Sequence, residues 1–256
     1  MGKIIAVANQ KGGVGKTTTS VNLSACLALS KKKVLLIDCD PQGNATSGVG
    51  GDKNVEKSTY DLIVNEEKLE NVIQPSAVQN LEVCPSNINL AGAEVELVSM
   101  ISREQRLKEA LKDKCGDYDF VIIDCPPSLG MVTLNAMTAA NSILVPIQCE
   151  YYALEGLGQL MSTIDLVQKH LNKTLSVEGV VLTMYDARTN LSTQVIDEVR
   201  KYFKDKVYKS VIPRNVKLSE APSFGLPIAL YDKNSKGAVA YMDLAKELIR
   251  ANKIKG

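Results

Sequence analysis

The chain has 256 residues, of which 45% are hydrophobic and 23% charged, the composition of an ordinary globular protein. It contains no run of eighteen apolar residues, and its start, "MGKIIAVANQ", lacks the apolar region and cleavage site of a secretory signal. The net charge of +1 is unevenly spread, with 13 Lys/Arg and 5 Asp/Glu in residues 200–256 against 17 and 24 in residues 1–199. This asymmetry predicts a basic face in the C-terminal part.

Seven short apolar segments predict strands, in the order "KIIAVA" (3–8), "KVLLIDCD" (33–40), "LEVCPS" (81–86), "DFVIIDCPP" (119–127), "SILVPIQ" (142–148), "VEGVVLTM" (177–184) and "VYKSVIP" (207–213). Helical spacing is clearest in 17–30, 103–114 and 153–171, and "GVGGDKNVEK" (48–57) is the most loop-like segment. Strands that alternate with helices predict an α/β fold with a doubly wound, predominantly parallel sheet flanked by helices, as one domain over 1–256.

The six cysteines include no C-x-x-C pair, which favours buried, reduced thiols in a cytosolic protein. A zinc site is disfavoured because His170 is the one histidine in the chain.

Ligands of such sheets bind at the carboxyl ends of the strands, so residues 9–17, 38–44 and 124–128 should converge. The first of these contains "KGGVGKT" (11–17), in which Gln10 stands where G-x-x-x-x-G-K-[ST] requires glycine. Backbone N–H groups of the glycines can still bind a polyphosphate, while Lys16 reaches its terminal phosphates and Thr17 suits Mg²⁺. A P-loop NTPase fold that binds a nucleoside triphosphate with Mg²⁺ is therefore predicted; a glycine-rich turn without a ligand is the alternative. The predicted nucleotide-binding residues are Lys11, Gly12, Gly13, Val14, Gly15, Lys16, Thr17 and Thr18.

The altered loop resembles the deviant Walker A motif of the ParA/MinD family of ATPases. The resemblance implies that Lys11 reaches the nucleotide of a second chain in a sandwich dimer, so that Lys11, Lys16 and Asp40 are the catalytic residues. Asp40 would position the attacking water, while Thr17, Asp38 and Asp124 would form the magnesium site, the two aspartates through water. Helix capping by Asp38 or Asp40 and a turn at Asp124 are the structural alternatives.

The chain lacks a guanine-reading Asn-Lys-x-Asp motif at "VLTMYDAR" (181–188), which favours ATP over GTP. "IPRN" (212–215) resembles the adenine-side loop of the family, with Pro213 and Asn215 as the candidate contacts. A simple turn is the alternative for this segment.

Further segments, among them "GNATSG" (43–48), "AGAEVELV" (91–98) and "VIPRNVKLSEAPSFGLPI" (211–228), resemble chromosomal ParA proteins of the Soj type. The loop begins at residue 9, so no N-terminal helix-turn-helix domain is expected. The end, "AYMDLAKELIRANKIKG", lacks Trp and Phe and includes two acidic residues, which favours packing on the domain over the membrane-binding helix of MinD-like relatives.

The resemblance implies an ATP-dependent homodimer that binds double-stranded DNA without sequence preference, on the nucleoid in the cytoplasm and with no membrane partner. A ParB-type protein would stimulate hydrolysis and release the DNA. Arg188 matches a family position tied to DNA binding, and the other candidates are chosen by charge: Lys201, Lys204, Lys206, Lys209, Arg214, Lys217, Lys236, Lys246 and Arg250. A MinD-like positioning ATPase and a metabolic enzyme of the same fold are the alternatives.

Overall fold

The computed structural model describes residues 2–150 and 157–253, in which eight strands form one sheet. The strands are β1 (Lys3–Val7), β2 (Val34–Asp38), β3 (Gln74–Pro75), β4 (Leu81–Cys84), β5 (Phe120–Asp124), β6 (Ser142–Gln148), β7 (Ser176–Tyr185) and β8 (Val207–Pro213). Their order across the sheet is β3-β4-β2-β5-β1-β6-β7-β8. All neighbours are parallel except β3 and β4, which are antiparallel.

Helices connect the strands over both faces of the sheet. The described α-helices are α1 (Lys16–Leu29), α2 (Asn44–Gly48), α3 (Thr59–Ile63), α4 (Leu90–Glu96), α5 (Arg106–Leu111), α6 (Met131–Ala139), α7 (Leu157–His170), α8 (Asn190–Phe203), α9 (Val216–Glu220), α10 (Ile228–Tyr231) and α11 (Lys236–Ala251). Short 3₁₀ turns occupy Leu69–Asn71, Leu97–Ser99, Cys115–Asp117, Lys204–Lys206 and Ala221–Phe224.

The central strands are buried on both faces, and β1 shows this most simply. Ile4 and Ala6 belong to one apolar cluster, shared with the buried residues of α4 to α8. Ile5 and Val7 belong to a second cluster, shared with α1 and α11. Because neighbouring side chains along a strand point to opposite faces, an almost continuous apolar run is what a strand between two helical layers requires.

The predicted α/β fold with a mainly parallel sheet is confirmed, and each of the seven predicted strands is present. The two-residue strand β3 is too short to leave a pattern, and it was not predicted. The helix expected over 103–114 is shorter, at Arg106–Leu111. The helix expected over 153–171 is described from Leu157, so its first part lies outside the described residues. Of the predicted loop 48–57, residues 49–57 contain neither helix nor strand, whereas Gly48 is the last residue of α2.

The C-terminal helix α11 packs on its own domain. Leu244 and Leu248 are fully buried in the cluster with α1, and Ile249 is partly buried against the same cluster. In this arrangement its apolar face is already covered. Within residues 2–150 and 157–253, no helix has the length and apolar character needed to cross a membrane.

Candidate nucleotide-binding site

The three segments predicted to converge do meet at the carboxyl edge of the sheet. The loop from Ala8 to Gly15 connects β1 to α1, and β1 lies next to β5 and β6 in the sheet centre. Asp38 and Asp124, the last residues of β2 and β5, are paired in register. The glycine loop therefore stands beside both carboxylates.

The glycines give the loop its shape and leave its surface open. Gly13 (φ 74°) and Gly15 (φ 87°) have left-handed backbone conformations, which side chains with a Cβ rarely adopt. A Cβ added to Gly12 or Gly13 would meet no atom within 4 Å. The backbone at these positions is therefore accessible to a bound group, as a phosphate cradle requires.

Two polar side chains from outside the motif anchor the loop to neighbouring strands. Asn9 Nδ2 donates to the carbonyl oxygen of Pro146 in β6 at 2.7 Å, and Asn9 Oδ1 accepts from the N–H of Lys11 at 3.0 Å. Thr183 Oγ1, in β7, donates to the carbonyl oxygen of Val14 at 2.8 Å. Neither Asn9 nor Thr183 was predicted as a site residue, although both stand at the carboxyl end of an apolar segment.

Lys16 is held across the loop. Its side chain is only 7% exposed, and Nζ donates to the carbonyl oxygen of Lys11 at 3.0 Å. Burial lowers the pKa of Lys16, while the nearby carboxylate of Asp124 opposes that change. A buried ammonium group beside an open glycine cradle is suited to an anionic ligand, and the interaction with Lys11 fixes its position before one arrives.

Asp124 carries a carboxylate oxygen that the fold does not satisfy. Oδ1 accepts from Ser20 Oγ at 2.8 Å, whereas Oδ2 is buried and has no hydrogen-bond partner among the described residues. Burial raises the pKa of Asp124, and the charge of Asp38 raises it further. An unsatisfied buried oxygen costs about 1–3 kcal/mol, a penalty that a cation or its bound water can remove. Together with Thr17 at the start of α1, this donor set fits Mg²⁺.

Both carboxylate oxygens of Asp38 accept hydrogen bonds from other groups of the protein. Its Oδ2 accepts from both N and Oγ1 of Thr46 at 2.7 Å, and its Oδ1 accepts from the N–H of Asp40 at 3.1 Å. Thr46 Oγ1 also accepts from the N–H of Ser86 at 3.0 Å. Burial raises the pKa of Asp38, and the hydrogen bonds from Thr46 oppose this rise. Asp38 thus braces the loop that presents Asp40, and its proximity to magnesium stays a prediction.

Asp40 lies at the start of a turn on the site's open side. The side chain is partly exposed, and Oδ1 accepts from the N–H of Gln42 at 3.0 Å. Its carbonyl oxygen accepts from the N–H of Gly43 at 3.0 Å. An accessible carboxylate here can accept a hydrogen bond from water, which is the role predicted for it.

The proposed adenine contacts lie at the end of β8. Pro213 is its last residue and pairs with Tyr185, and Asn215 caps α9 by accepting from the N–H of Lys217 at 2.9 Å. The side-chain oxygen of Asn215 is therefore engaged in a helix cap in this state, which is the kind of turn kept as an alternative. Contact with adenine stays a prediction.

The ten candidate DNA-binding residues are exposed, and five of them form ion pairs with nearby carboxylates. Arg188 is 86% exposed and binds Asp186 through two hydrogen bonds, at 2.9 Å and 2.6 Å. The other pairs are Lys201–Glu198, Arg214–Glu150, Lys217–Asp232 and Lys246–Asp243. Exposed pairs contribute only about 0–1 kcal/mol each, so DNA phosphates could replace these carboxylates.

Comparison with known proteins decides the family. A family model described as an AAA domain matches residues 2–177. The sporulation initiation inhibitor protein Soj of Bacillus subtilis is 65% identical over 249 residues, which cover 97% of this chain and 98% of that protein. This chain belongs to the Soj/ParA family of chromosome partitioning ATPases.

Other members and structures agree with this placement. The chromosome partitioning protein ParA of Myxococcus xanthus is 53% identical to the present Soj/ParA chain over 251 residues, 98% of this chain and 89% of that one. The crystal structure of cobyrinic acid a,c-diamide synthase from Mycobacterium smegmatis, with bound ADP and magnesium, superposes with a TM-score of 0.87 at 39% identity. The match covers 99% of this chain and 96% of that chain. The P-loop ATPase fold expected for a Soj/ParA protein is thus confirmed.

Proposed function

We propose that this chain binds ATP with Mg²⁺, assembles through the nucleotide into a sandwich dimer, and in that state binds double-stranded DNA without sequence preference. A ParB-type partner then stimulates hydrolysis and releases the DNA, which places the protein on the nucleoid in the cytoplasm. The observation that carries this proposal is the open glycine loop between buried Lys16 and the unsatisfied oxygen of Asp124. The 65% identity to Soj over nearly the whole chain supports the partitioning role.

The residues of the site divide the work between binding and positioning. The N–H groups of the loop and Lys16 would bind the phosphates, with Lys16 exchanging the carbonyl oxygen of Lys11 for phosphate oxygens. Thr17 and Asp124 would hold magnesium, which neutralises phosphate charge when it is bound. Asp40, accessible at its turn, would accept a hydrogen bond from the attacking water and orient it.

Lys11 accounts for the requirement for two chains. By resemblance it supplies positive charge to the phosphates of the partner protomer, as an arginine finger does. Hydrolysis then depends on dimerisation, and the basal rate of a dilute protein is low. Dimerisation also strengthens DNA binding, because a two-fold dimer doubles the number of contacts with DNA phosphates. The affinity for DNA then depends more steeply on salt concentration.

Three substitutions test the nucleotide cycle. Lys16→Ala should abolish nucleotide binding, and Lys11→Ala should retain ATP binding but lose the dimer. Asp40→Ala should accumulate an ATP-bound dimer that retains DNA. Size-exclusion chromatography with light scattering, with and without ATP, distinguishes these outcomes; a monomeric Asp40→Ala protein in saturating ATP would contradict the role of Asp40.

DNA binding is tested by co-sedimentation with DNA as a function of nucleotide and salt. Arg188→Glu should lose DNA while it still dimerises with ATP, and its unchanged retention on DNA would remove Arg188 from the interface. Co-sedimentation with anionic liposomes is the matched experiment for a MinD-like membrane role, which α11 does not favour in its packed position.

The structural match to cobyrinic acid a,c-diamide synthase favours a small-molecule ligase as the second candidate function. Such an enzyme would turn over ATP with its small substrate in the absence of DNA or a protein partner. ATP turnover that is low alone and rises with DNA and a ParB-type protein would exclude this candidate.

A further inference from the structure

The segment around α4 exposes a row of large apolar side chains. Ile88 is 74% exposed, Val95 76%, Val98 58% and Ile101 89%, values that are unusual for residues so close together in sequence. With the exposed Ala91, they follow one another at intervals of three or four residues. This spacing places them along one side of α4 and its extensions. We refer to Ile88, Ala91, Val95, Val98 and Ile101 as the α4 stripe.

The opposite side of the same segment is also apolar. Leu90, Ala93 and Leu97 are fully buried in the core cluster that includes β1 and β5. A helix that is apolar on both sides is normally covered on both sides. An exposed apolar row of this length marks an interaction surface.

The α4 stripe borders the two loops that carry Asp40 and Asp124. On one side, the N–H of Ser86 donates to Thr46, and a Cβ on Gly43, within the Asp40 turn, would lie 2.7 Å from the carbonyl oxygen of Ser86. On the other side, Glu94 accepts from the N–H of Met131 at 2.7 Å, at the start of the helix that follows the Asp124 loop. The α4 stripe therefore lies at the carboxyl edge of the sheet, where the proposed dimer would form.

The charge of the α4 stripe and its surroundings indicates which kind of partner could cover it. Residues 84–102 contain two charged residues, Glu94 and Glu96, and no lysine or arginine. Glu94 accepts from the backbone of α6, and Glu96 accepts from Tyr60 Oη at 2.8 Å. Arg103, which donates to the carbonyl oxygen of Val98 at 2.6 Å, is paired with Glu104, so acidic side chains outnumber basic ones here. DNA and anionic membranes both require a basic surface, which this one is not. A two-fold interface places the same patch of both chains around its axis, and an uncharged apolar patch suits that arrangement.

We propose that a second copy of this chain covers the α4 stripe when ATP is bound. The inference rests on the proposed function, since it requires the nucleotide sandwich dimer, and it assigns to that dimer an apolar contact beside the phosphates. The phosphate contacts make association dependent on ATP, and the α4 stripe supplies water-excluded apolar area to the interface.

A charge placed in the α4 stripe tests this assignment. In the Asp40→Ala background, Val95→Glu should raise the dimer dissociation constant in ATP and Mg²⁺ by at least about tenfold. The matched control is Leu166→Glu, on α7 at 59% exposure, which should leave the constant unchanged. The helix α7 leads back to the start of β7, so Leu166 lies toward the amino edge of the sheet. Binding of a fluorescent ATP analogue to the monomer should be equal in all three proteins.

A labelling experiment gives a second readout that adds no charge. All six native cysteines are buried and free, so a maleimide would report on an introduced surface thiol. In the Asp40→Ala background, the labelling rate of Val95→Cys should fall severalfold on addition of ATP, while that of Leu166→Cys should not change.

The outcomes separate the two proposals. If neither the unaltered protein nor the Asp40→Ala parent dimerises in ATP, the proposed function fails. If the parent dimerises while Val95→Glu dimerises equally well and Val95→Cys stays fully reactive, this inference fails and the proposed function stands. If Val95→Glu dimerises normally, but the same substitution in a protein that keeps Asp40 abolishes stimulation by a purified ParB-type protein, the α4 stripe is a docking site for that protein, which also overturns the inference.

Discussion

Ser20 offers the most direct test of how the fold prepares the magnesium site. Its hydroxyl lies fully buried in α1 and donates to Oδ1 of Asp124 at 2.8 Å. That bond orients the carboxylate and leaves Oδ2 as the oxygen without a partner among the described residues. In Ser20→Ala, the carboxylate loses this donor and is held less firmly. We therefore expect weaker magnesium binding rather than weaker phosphate binding.

The size of the effect follows from the kind of hydrogen bond that is removed. A hydrogen bond to a charged group contributes about 1.5–3 kcal/mol. Because the same bond also stabilises the metal-free protein, this energy sets an upper limit: the magnesium concentration for half-saturation rises by at most about 10- to 100-fold, at 1.4 kcal/mol for each factor of ten. Residues that orient a metal ligand show effects of this order when they are replaced.

The assay is a magnesium titration of the fluorescence of a bound ATP analogue, with affinity in EDTA measured alongside. Ser24→Ala is the matched control, because Ser24 is equally buried one turn along α1 and its Oγ has no partner among the described residues. Ser20→Ala should shift the magnesium midpoint and leave the affinity in EDTA unchanged, whereas Ser24→Ala should change neither. Equal magnesium midpoints for Ser20→Ala and the unaltered protein would refute the reasoning.

Four further substitutions or reactions probe other parts of the structure. Gly13→Ala should lose about 1–2 kcal/mol of unfolding free energy in urea, because φ is 74°, and should also bind nucleotide more weakly. Thr46→Val should lose about 1–3 kcal/mol in the same assay, as buried Asp38 loses a donor, and Thr46→Ser should recover most of it. Native protein at pH 8 should react with thiol reagents far more slowly than urea-unfolded protein, since burial raises the pKa of Cys26 to about 12; rapid native labelling would contradict this. Asn215→Ala should cost about 1 kcal/mol in unfolding free energy if the residue only caps α9, and a parallel loss of ATP affinity would indicate contact with adenine.

The strands were predictable because burial on both faces leaves continuous apolar runs, as in Phe120–Asp124. Several short helices were not, since four or five residues contain too little of the helical period to recognise. α3 is an example: its start is fixed by Ser58 and Asp61, which form a reciprocal capping box. Capping of this kind became evident only once the surrounding chain was in place.

The nucleotide-binding site also contains residues that the sequence predicts and residues that it does not. The glycines and Lys16 could be found because a phosphate loop is contiguous in sequence. The residues that position it could not, because their partners are remote: Ser20 and Asp124 are 104 positions apart, and Thr183 and Val14 are 169 apart. The two hydrogen bonds from Thr46 to Asp38 likewise depend on the folded path of the chain between these two residues.

The two edge strands of the sheet, β3 and β8, limit how this protein can associate with other chains. On one side β3 has only two residues, one of them Pro75, which has no N–H to donate. On the other, β8 carries the exposed Lys209 and ends at Pro213. The first edge is too short for an incoming strand, and at the second the N–H groups of Lys209 and Ser210 already donate to Glu247, so strand addition is disfavoured at both. In the proposed ATP-dependent dimer, association would therefore use side-chain surfaces, which nucleotide binding and release can regulate.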